Sequence, residues 1–201
     1  ICCCFNLKNI KFLIAGVDEV GKGCLFGPVF AGAVILTKSN ELELLRKGLK
    51  DSKKLNSQKR KSLIPLIKEN SIDWSLGQAS VREIDQFGIR KATEKAMMRA
   101  IEKFSKPPDL ILVDGILPLQ SWEGKQLTQV RGESHFPSIA AASVLAKEAR
   151  DELIKRLAST YTLYALEKNK GYGTEIHRTN LIKAGTTKLH RKSFLSKLKI
   201  N

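Results

Sequence analysis

The sequence predicts an α/β fold: a mixed central sheet flanked by helices, with a helical C-terminal extension. Three features of the chain carry this. It opens with two apolar runs rich in Val, Ile and Phe, joined by a short Gly/Pro-containing link, the pattern of a strand pair. It then alternates short apolar runs with segments of helical periodicity, as a sheet covered by helices requires. Beyond residue 160 it breaks into shorter helical and loop segments rich in lysine and arginine. At 201 residues there is room for one sizeable domain with a small appendage. We place the main body at 11–160 and the extension at 161–201.

The elements follow in order. "KFLIAGVD" (11–18) reads as a buried strand and "LFGPVFAGAVIL" (25–36) as a second, connected like a hairpin. "NELELLRKGL" is a short helix. "NSQKRKSLIPLIKEN" (56–70) is another, with Asn56 or Ser57 as cap and Pro65 marking a bend or a restart. "IDWSLGQAS" (72–80) alternates as a third strand. "SVRE" (80–83) is a capping box that opens a helical stretch. "GIRKATEKAMMRAIEKF" (88–104) carries Ile89, Ala92, Ala96, Met97, Ala100 and Ile101 on one helical face, and Pro107 and Pro108 end it. "DLILVDG" (109–115) is a fourth strand and "KQLTQV" (125–130) a fifth. "PSIAAASVLAKEARDELIKRLAS" (137–159) is a long helix.

Lys and Arg total 35 against 20 Asp and Glu, a formal net charge of +15. Such an excess favours polyanions: nucleic acid first, an anionic membrane surface second, with a generic basic surface as the plain alternative. From Lys168 onward nine Lys/Arg stand against one acid, Glu175, so the tail holds about half the net charge. These basic residues are interspersed with others, which suits a folded basic face. No apolar run approaches the roughly 18–20 residues that span a bilayer, so no membrane partner is expected. The first residues, "ICCCFNLKN", are too short and too polar afterwards for a signal peptide. Cys2, Cys3, Cys4 and Cys24 show no zinc or disulfide pattern. Reduced thiols and a cytoplasmic location are the expectation.

Two core strands end in acids, Asp18 and Asp114. An ionised carboxylate at the edge of an apolar core is costly unless something compensates it. If the two strands are parallel neighbours, their carboxylates converge where α/β sheets collect ligands. Clustered carboxylates suit hard cations such as Mg²⁺ or Mn²⁺. Such ions would also reconcile acids with a basic, phosphate-binding chain. The alternative is that both are turn or cap residues; two strand-end acids plus Glu19 weigh toward the metal. Adjacent side chains alternate in a strand, so Asp18 and Glu19 can share a pocket only if the strand ends there.

"GKGCLFG" follows the first strand. Its spacing is wrong for a dinucleotide fingerprint, and no Gly-Lys-Ser/Thr makes it a Walker loop. It is either a turn needing positive φ or a place where backbone approaches a ligand, and the two are compatible.

"GVDEVGKGCLFGPVFAGAVIL" resembles the N-terminal signature of type 2 ribonuclease H, ribonuclease HII. The likeness continues, in order, through "LKDSKKLNSQKR", "EIDQFGIRKATEKAMMRAI", "LVDG", "IAAASVLAKEARD", "NKGYGTEIH" and "HRKSF". The resemblance implies an RNase H-like fold, with 11–160 as its catalytic domain. It implies cleavage of RNA in RNA–DNA hybrids and incision 5′ of single ribonucleotides in duplex DNA. The ends left would be 3′-hydroxyl and 5′-phosphate, and the cofactor Mg²⁺ or Mn²⁺, two ions being expected. By motif position Asp18, Glu19 and Asp114 match the metal-binding acids. Glu133, in "RGE", takes the fourth place. Gly21, Lys22 and Gly23 match the motif whose backbone reads the ribose 2′-hydroxyl, the atom that separates RNA from DNA. Tyr172 matches the tyrosine that stacks on the following sugar. Lys22 stands where Arg is usual, and the two are not equivalent if a planar fork is needed. Glu133 stands where Asp is usual; a Glu there is shared with the sister family ribonuclease HIII, whereas "GYGT" and "HRKSF" favour type HII.

Further candidates are weaker. Lys53 or Lys54, in "DSKK" (51–54), would contact phosphate or sit in a solvated capping turn. Ser143 and Lys147, four apart on one helical face, would meet the substrate or leave the alanines to pack. Arg150 and Asp151 suggest a structural ion pair. His190 and Arg191 would anchor the C-terminal segment or touch the substrate backbone. His135 and His177 read as surface or capping residues. A monomer is expected. The rival to the nuclease is a non-catalytic, basic duplex nucleic-acid-binding protein.

Overall fold

The computed structural model describes residues 12–50 and 52–196. Cys2, Cys3, Cys4 and Asp51 lie outside the described residues; Cys24 is buried as a free thiol. The first two strands, β1 (Ile14–Val20) and β2 (Val29–Ile35), pair antiparallel as the short link requires. β3 (Asp73–Ala79) extends the sheet antiparallel to β2. β4 (Leu110–Asp114) lies parallel to β1, and β5 (Lys125–Gln129) parallel to β4. The order is β3-β2-β1-β4-β5, a mixed sheet with β1 at its centre.

Helices α1 (Lys38–Arg46), α2 (Ser57–Asn70), α3 (Val81–Ile101) and α4 (Pro137–Ala158) cover the sheet. Alternation along β1 divides the core. Ala15 and Val17 face α3, packing with Ala92, Ala96 and Met97. On the other face α4 lays Ala140, Ala141 and Ala142 against the sheet, with Leu44, Leu63 and Ile67 of α1 and α2 around them. α5 (Leu166–Asn169), α6 (Glu175–Ala184) and α7 (Lys192–Leu195) are the last helices among the described residues. Their Leu166, Leu181 and Leu195 close a third core over Leu25, Phe26 and Ile154. The segment after α4 is therefore built onto the β1–β2 connection.

Several local expectations change. α2 runs unbroken through Pro65. The ring is on the exposed face, where the carbonyl it deprives of a partner can be solvated, while Leu63 and Ile67 anchor the buried face. Ser80 and Glu83 form the full capping box. The helix they open is continuous with the next apart from a kink at Gly88 (φ 79°, ψ 157°), and it ends at Ile101, before the two prolines.

α4 lies so close to β1 and β2 that two strand glycines are obligatory. A Cβ built on Gly16 would collide with the Ser138–Ile139 peptide, and one on Gly32 with the Ala142 carbonyl oxygen. Gly32 pairs with Asp18, so this contact sets the height of α4 above that carboxylate. We expect Gly32→Ala to cost about 1–3 kcal/mol of stability through overpacking. Chemical denaturation measures it, and an unchanged midpoint would contradict the close approach.

Candidate active site

Asp18 and Asp114 immediately follow Val17 and Val113, which are register partners in the parallel β1–β4 pair. Their carboxylates meet on the α4 side of the sheet. Glu133 joins them from a one-turn 3₁₀ helix, Gly132–Ser134, entered through Arg131 in the left-handed conformation (φ 54°). Ligand oxygens of Asp18, Asp114 and Glu133 all lie within 4.8 Å of one another. The Gly132 N–H donates to Asp114 Oδ1 (2.7 Å), and the Glu19 N–H to Asp18 Oδ1 (2.7 Å). The Ser143 hydroxyl of α4 also hydrogen-bonds Asp18, and lies 2.9 Å from the Ser52 hydroxyl.

This crowding sets the electrostatics. Burial pushes the Asp18 carboxyl well above the usual range, and Glu19, Asp114 and Glu133 push it further. The Ser143 bond opposes them. Asp114 is pushed up to about 6, by burial first and then by Glu133 and Glu19, against the Gly132 N–H. Only oxygen donors meet here, and the site is destabilised by its own negative charge. A divalent cation is the compensation this donor set fits.

Glu19 is placed differently from the expectation. β1 does not end at Asp18 but runs to Val20, so strand alternation holds and Glu19 points away from the three-acid cluster. Its Oε1 is 3.1 Å from Lys22 Nζ, yet it remains close enough to raise both aspartates.

The Gly21–Gly23 turn follows directly. Gly21 has φ 86°, and a Cβ there would collide with the Arg150 guanidinium. Gly23 is exposed, and a Cβ there would meet nothing within 4 Å. The fold thus explains the first glycine and leaves the second open toward solvent. Two wholly buried arginines hold the turn from beneath. Arg150 donates to the carbonyls of Phe26, Pro28 and Lys170 at 2.9–3.0 Å. Arg191 donates to Gly27 O (3.0 Å) and Lys22 O (2.9 Å), and burial lowers its pKa to about 10.

Comparison with known proteins now bears on this site. The family model described as Ribonuclease HII matches residues 15–197. The chain belongs to the ribonuclease HII family. It is 77% identical over 195 residues to a Ribonuclease HII of Prochlorococcus marinus (strain NATL1A), covering 97% of this chain and 100% of that one. Among solved structures it is similar to the ribonuclease H2 from Pyrococcus horikoshii OT3, with TM-score 0.79, 23% identity, and 94% and 96% of the two chains covered. It is also similar to Bst-RNase HIII solved in complex with Mn²⁺, with TM-score 0.66, 18% identity, and 94% and 65% covered. The chain is therefore a type 2 ribonuclease H, and its mixed sheet flanked by helices has the RNase H-like fold.

In this ribonuclease HII, Tyr172 stands beside Gly23 and lines the same open groove of about 560 Å³. The bridge of Cys24 to Tyr172 and the Leu25 N–H bond to Gly171 O (2.8 Å) align the two segments. Tyr172 is 38% exposed as a residue, with Lys147 Nζ 5.6 Å and the Arg150 guanidinium 6.0 Å from its ring centroid. Lys147 also donates to Asp151 (2.8 Å), which Arg60 flanks at 3.5 Å. That corrects the expected Arg150–Asp151 pair: consecutive helical residues do not face each other. Lys53 belongs to the one-turn 3₁₀ helix Ser52–Lys54, and its side chain lies outside the described residues.

His177 is not a surface residue. Its ring is fully buried with Nε2 3.2 Å from His190 Nε2. The Thr187 N–H donates to His190 Nδ1, so His190 carries its proton on Nε2 and donates to His177. His177 Nδ1 then donates to the Tyr172 carbonyl (2.9 Å). This neutral relay ties Tyr172 to the segment before α7. Arg191 anchors the C-terminal segment, one of the two roles expected for it; Arg150 and His177 escaped functional weight in the sequence because each acts on backbone carbonyls, which leave no complementary residue type to find.

Burial, then the neighbouring His177, pushes His190 down to about 4, from 6.5. Between those values the unfolded chain binds more protons, so this contribution is intact above pH 6.5 and is lost as pH falls toward 4. His190→Gln keeps an N–H for His177 and cannot titrate. Its melting temperature should fall less than that of the wild type between pH 7 and pH 5; equal falls would remove the relay from the account.

Proposed function

We propose that this ribonuclease HII cleaves the RNA strand of RNA–DNA hybrids and nicks duplex DNA 5′ of a single embedded ribonucleotide, leaving 3′-hydroxyl and 5′-phosphate ends. The observation that carries this is the convergence of Asp18, Asp114 and Glu133 within 4.8 Å under α4, in a chain of net charge +15. These three acids, with Glu19 beside them, would hold Mg²⁺ or Mn²⁺; a Mn²⁺ complex of the ribonuclease HIII neighbour supports that choice. When bound, divalent ions supply Lewis acidity, an activated water and charge compensation for a phosphodiester.

The chain's own residues do the rest. Ser143 and the Glu19 N–H orient Asp18, and the Gly132 N–H orients Asp114. Gly21–Gly23 brings backbone to the ribose 2′-hydroxyl, and the open space at Gly23 supports that approach. Tyr172 stacks on the next sugar. Lys147 and Lys53 neutralise strand phosphates. The enzyme acts as a cytoplasmic monomer. No helix among the described residues is long and apolar enough to cross a membrane. A non-catalytic duplex binder would need the charge but gives no role to three acids, two of them buried and one half-buried, held against their own repulsion.

The test is a labelled duplex with one ribonucleotide, incubated with and without Mg²⁺. We expect a metal-dependent nick 5′ of the ribonucleotide, and salt-sensitive binding without cleavage would favour the rival. Asp18→Asn should abolish cleavage and spare duplex binding; full activity would sink the assignment.

A second readout avoids activity. Asp114 binds its proton more tightly folded than unfolded, so its cluster costs stability as pH rises from 3.8 through about 6. Mn²⁺ should therefore raise the melting temperature at pH 8, and Asp114→Asn should raise it without metal while blunting the Mn²⁺ effect.

A further inference from the structure

Asp85 lies outside the acid cluster, on the first part of α3 before the kink at Gly88. Its carboxylate accepts from the Lys192 N–H (3.1 Å), the Ser193 N–H (2.9 Å) and the Ser193 hydroxyl (2.7 Å). The two N–H groups are the first of α7, which a helix leaves without partners of its own. Arg191, at the N-cap position of α7, makes no side-chain cap. An arginine side chain has only donors to offer, and this one directs them to the carbonyls of Lys22 and Gly27. The cap therefore comes from another element, and Asp85 is that cap.

The capped residues stand between two others that matter to the site. Before them, the wholly buried Arg191 holds the Lys22 carbonyl, in the middle of the Gly21–Gly23 turn, at 2.9 Å. After them, Phe194 lines the Tyr172 groove together with Gly23 and with Ile89, the residue that follows the kink. Phe194 also packs at the margin of the first and third cores, and its ring centroid is 5.2 Å from the Arg191 guanidinium. One carboxylate thus fixes the backbone at 192 and 193, and with it the side chains at 191 and 194. Arg191 Nη2 has no hydrogen-bond partner, so its own bonds do not fully lock the guanidinium. An acid flanked by residues of a nucleic-acid groove repels phosphate. On charge alone Asp85 would weaken binding, and its geometric role offsets that cost.

We propose that Asp85 is a positioning residue for recognition of the ribonucleotide. It touches no substrate. By holding Arg191 and Phe194 it keeps the Gly21–Gly23 backbone and the Tyr172 groove in one relative position, the one in which a ribose 2′-hydroxyl is read. The proposal rests on the nuclease reading and adds to it a residue that acts through others.

Two duplexes of one sequence test this. One carries a single ribonucleotide and gives kcat and KM; the other is all DNA and gives Ki as a competitor. Asp85→Ala should raise KM about tenfold and leave kcat within about twofold of wild type, the signature of lost binding rather than lost chemistry. Ki should stay the same or fall, because an acid has been removed. Asp85→Asn removes the same charge but keeps one oxygen acceptor, so KM should rise less. Ser193→Ala, which removes only the 2.7 Å bond, should raise KM modestly and add nothing to Asp85→Ala. Mn²⁺ binding measured by calorimetry should not change. Should Asp85→Ala fail to fold, Asp85→Asn and Ser193→Ala answer the same question. KM and Ki rising together would reduce Asp85 to a structural cap. An unchanged or lowered KM would remove the role, and weakened Mn²⁺ binding would place its action on the acids instead. Wild-type enzyme that leaves the ribonucleotide duplex intact would overturn the nuclease reading itself, an outcome distinct from failure of the Asp85 role.

Discussion

Mutual repulsion among three carboxylates is the constraint around which this molecule is arranged. Asp18, Asp114 and Glu133 are brought within 4.8 Å of one another, and burial alone would already disfavour their charge. Nothing in the core profits from that. The parallel β1–β4 pair sets two of the acids side by side, and the 3₁₀ turn after Arg131 delivers the third. α4 comes close enough to hold Asp18 through Ser143 only because Gly16 and Gly32 lack a Cβ. Each of these is a local cost that makes sense once a cation and a phosphodiester enter the balance.

The basic half of the design is divided by burial. Surface lysines and arginines give the chain its attraction for polyanions at long range. Arg150 and Arg191 do something else. Each is fully buried and meets carbonyl oxygens of the 21–28 segment or its partner, with no carboxylate between them. Carbonyl dipoles solvate such a charge less completely than a carboxylate would, which is why Arg191 loses proton affinity on burial. The return is rigidity: the turn that presents Gly23 is bound from α4 and from the C-terminal segment at once.

The sheet was legible because its apolar runs are short, β-branched and punctuated by Gly and Pro, and because Asp18 and Asp114 each close such a run. The parallel pairing that makes those two acids meet was a condition, and the β1–β4 register met it. Three things were not legible. Pro65 sits inside a helix because exposure on one face removes the usual penalty. Glu19 keeps to strand alternation because β1 continues two residues beyond Asp18. The His190–His177–Tyr172 relay joins positions whose spacing is long and whose chemistry ends on a carbonyl, so no pattern of side chains announces it. Glu133 was readable only through family likeness; its place beside Asp114 depends on the left-handed Arg131, which the sequence does not advertise.

The two glycines of the turn show how fold and function separate at the level of single residues. Gly21 is required by its φ and by Arg150 beneath it, so its loss would be felt as instability. Gly23 has neither constraint; a methyl group there would stand in open space. A side chain at that point would harm only what comes to the surface from outside. The Lys22 side chain between them is exposed and pairs with Glu19, while its carbonyl is held by Arg191. Its backbone is thus fixed independently of its side chain. A lysine side chain at this position leaves that fixed backbone unchanged.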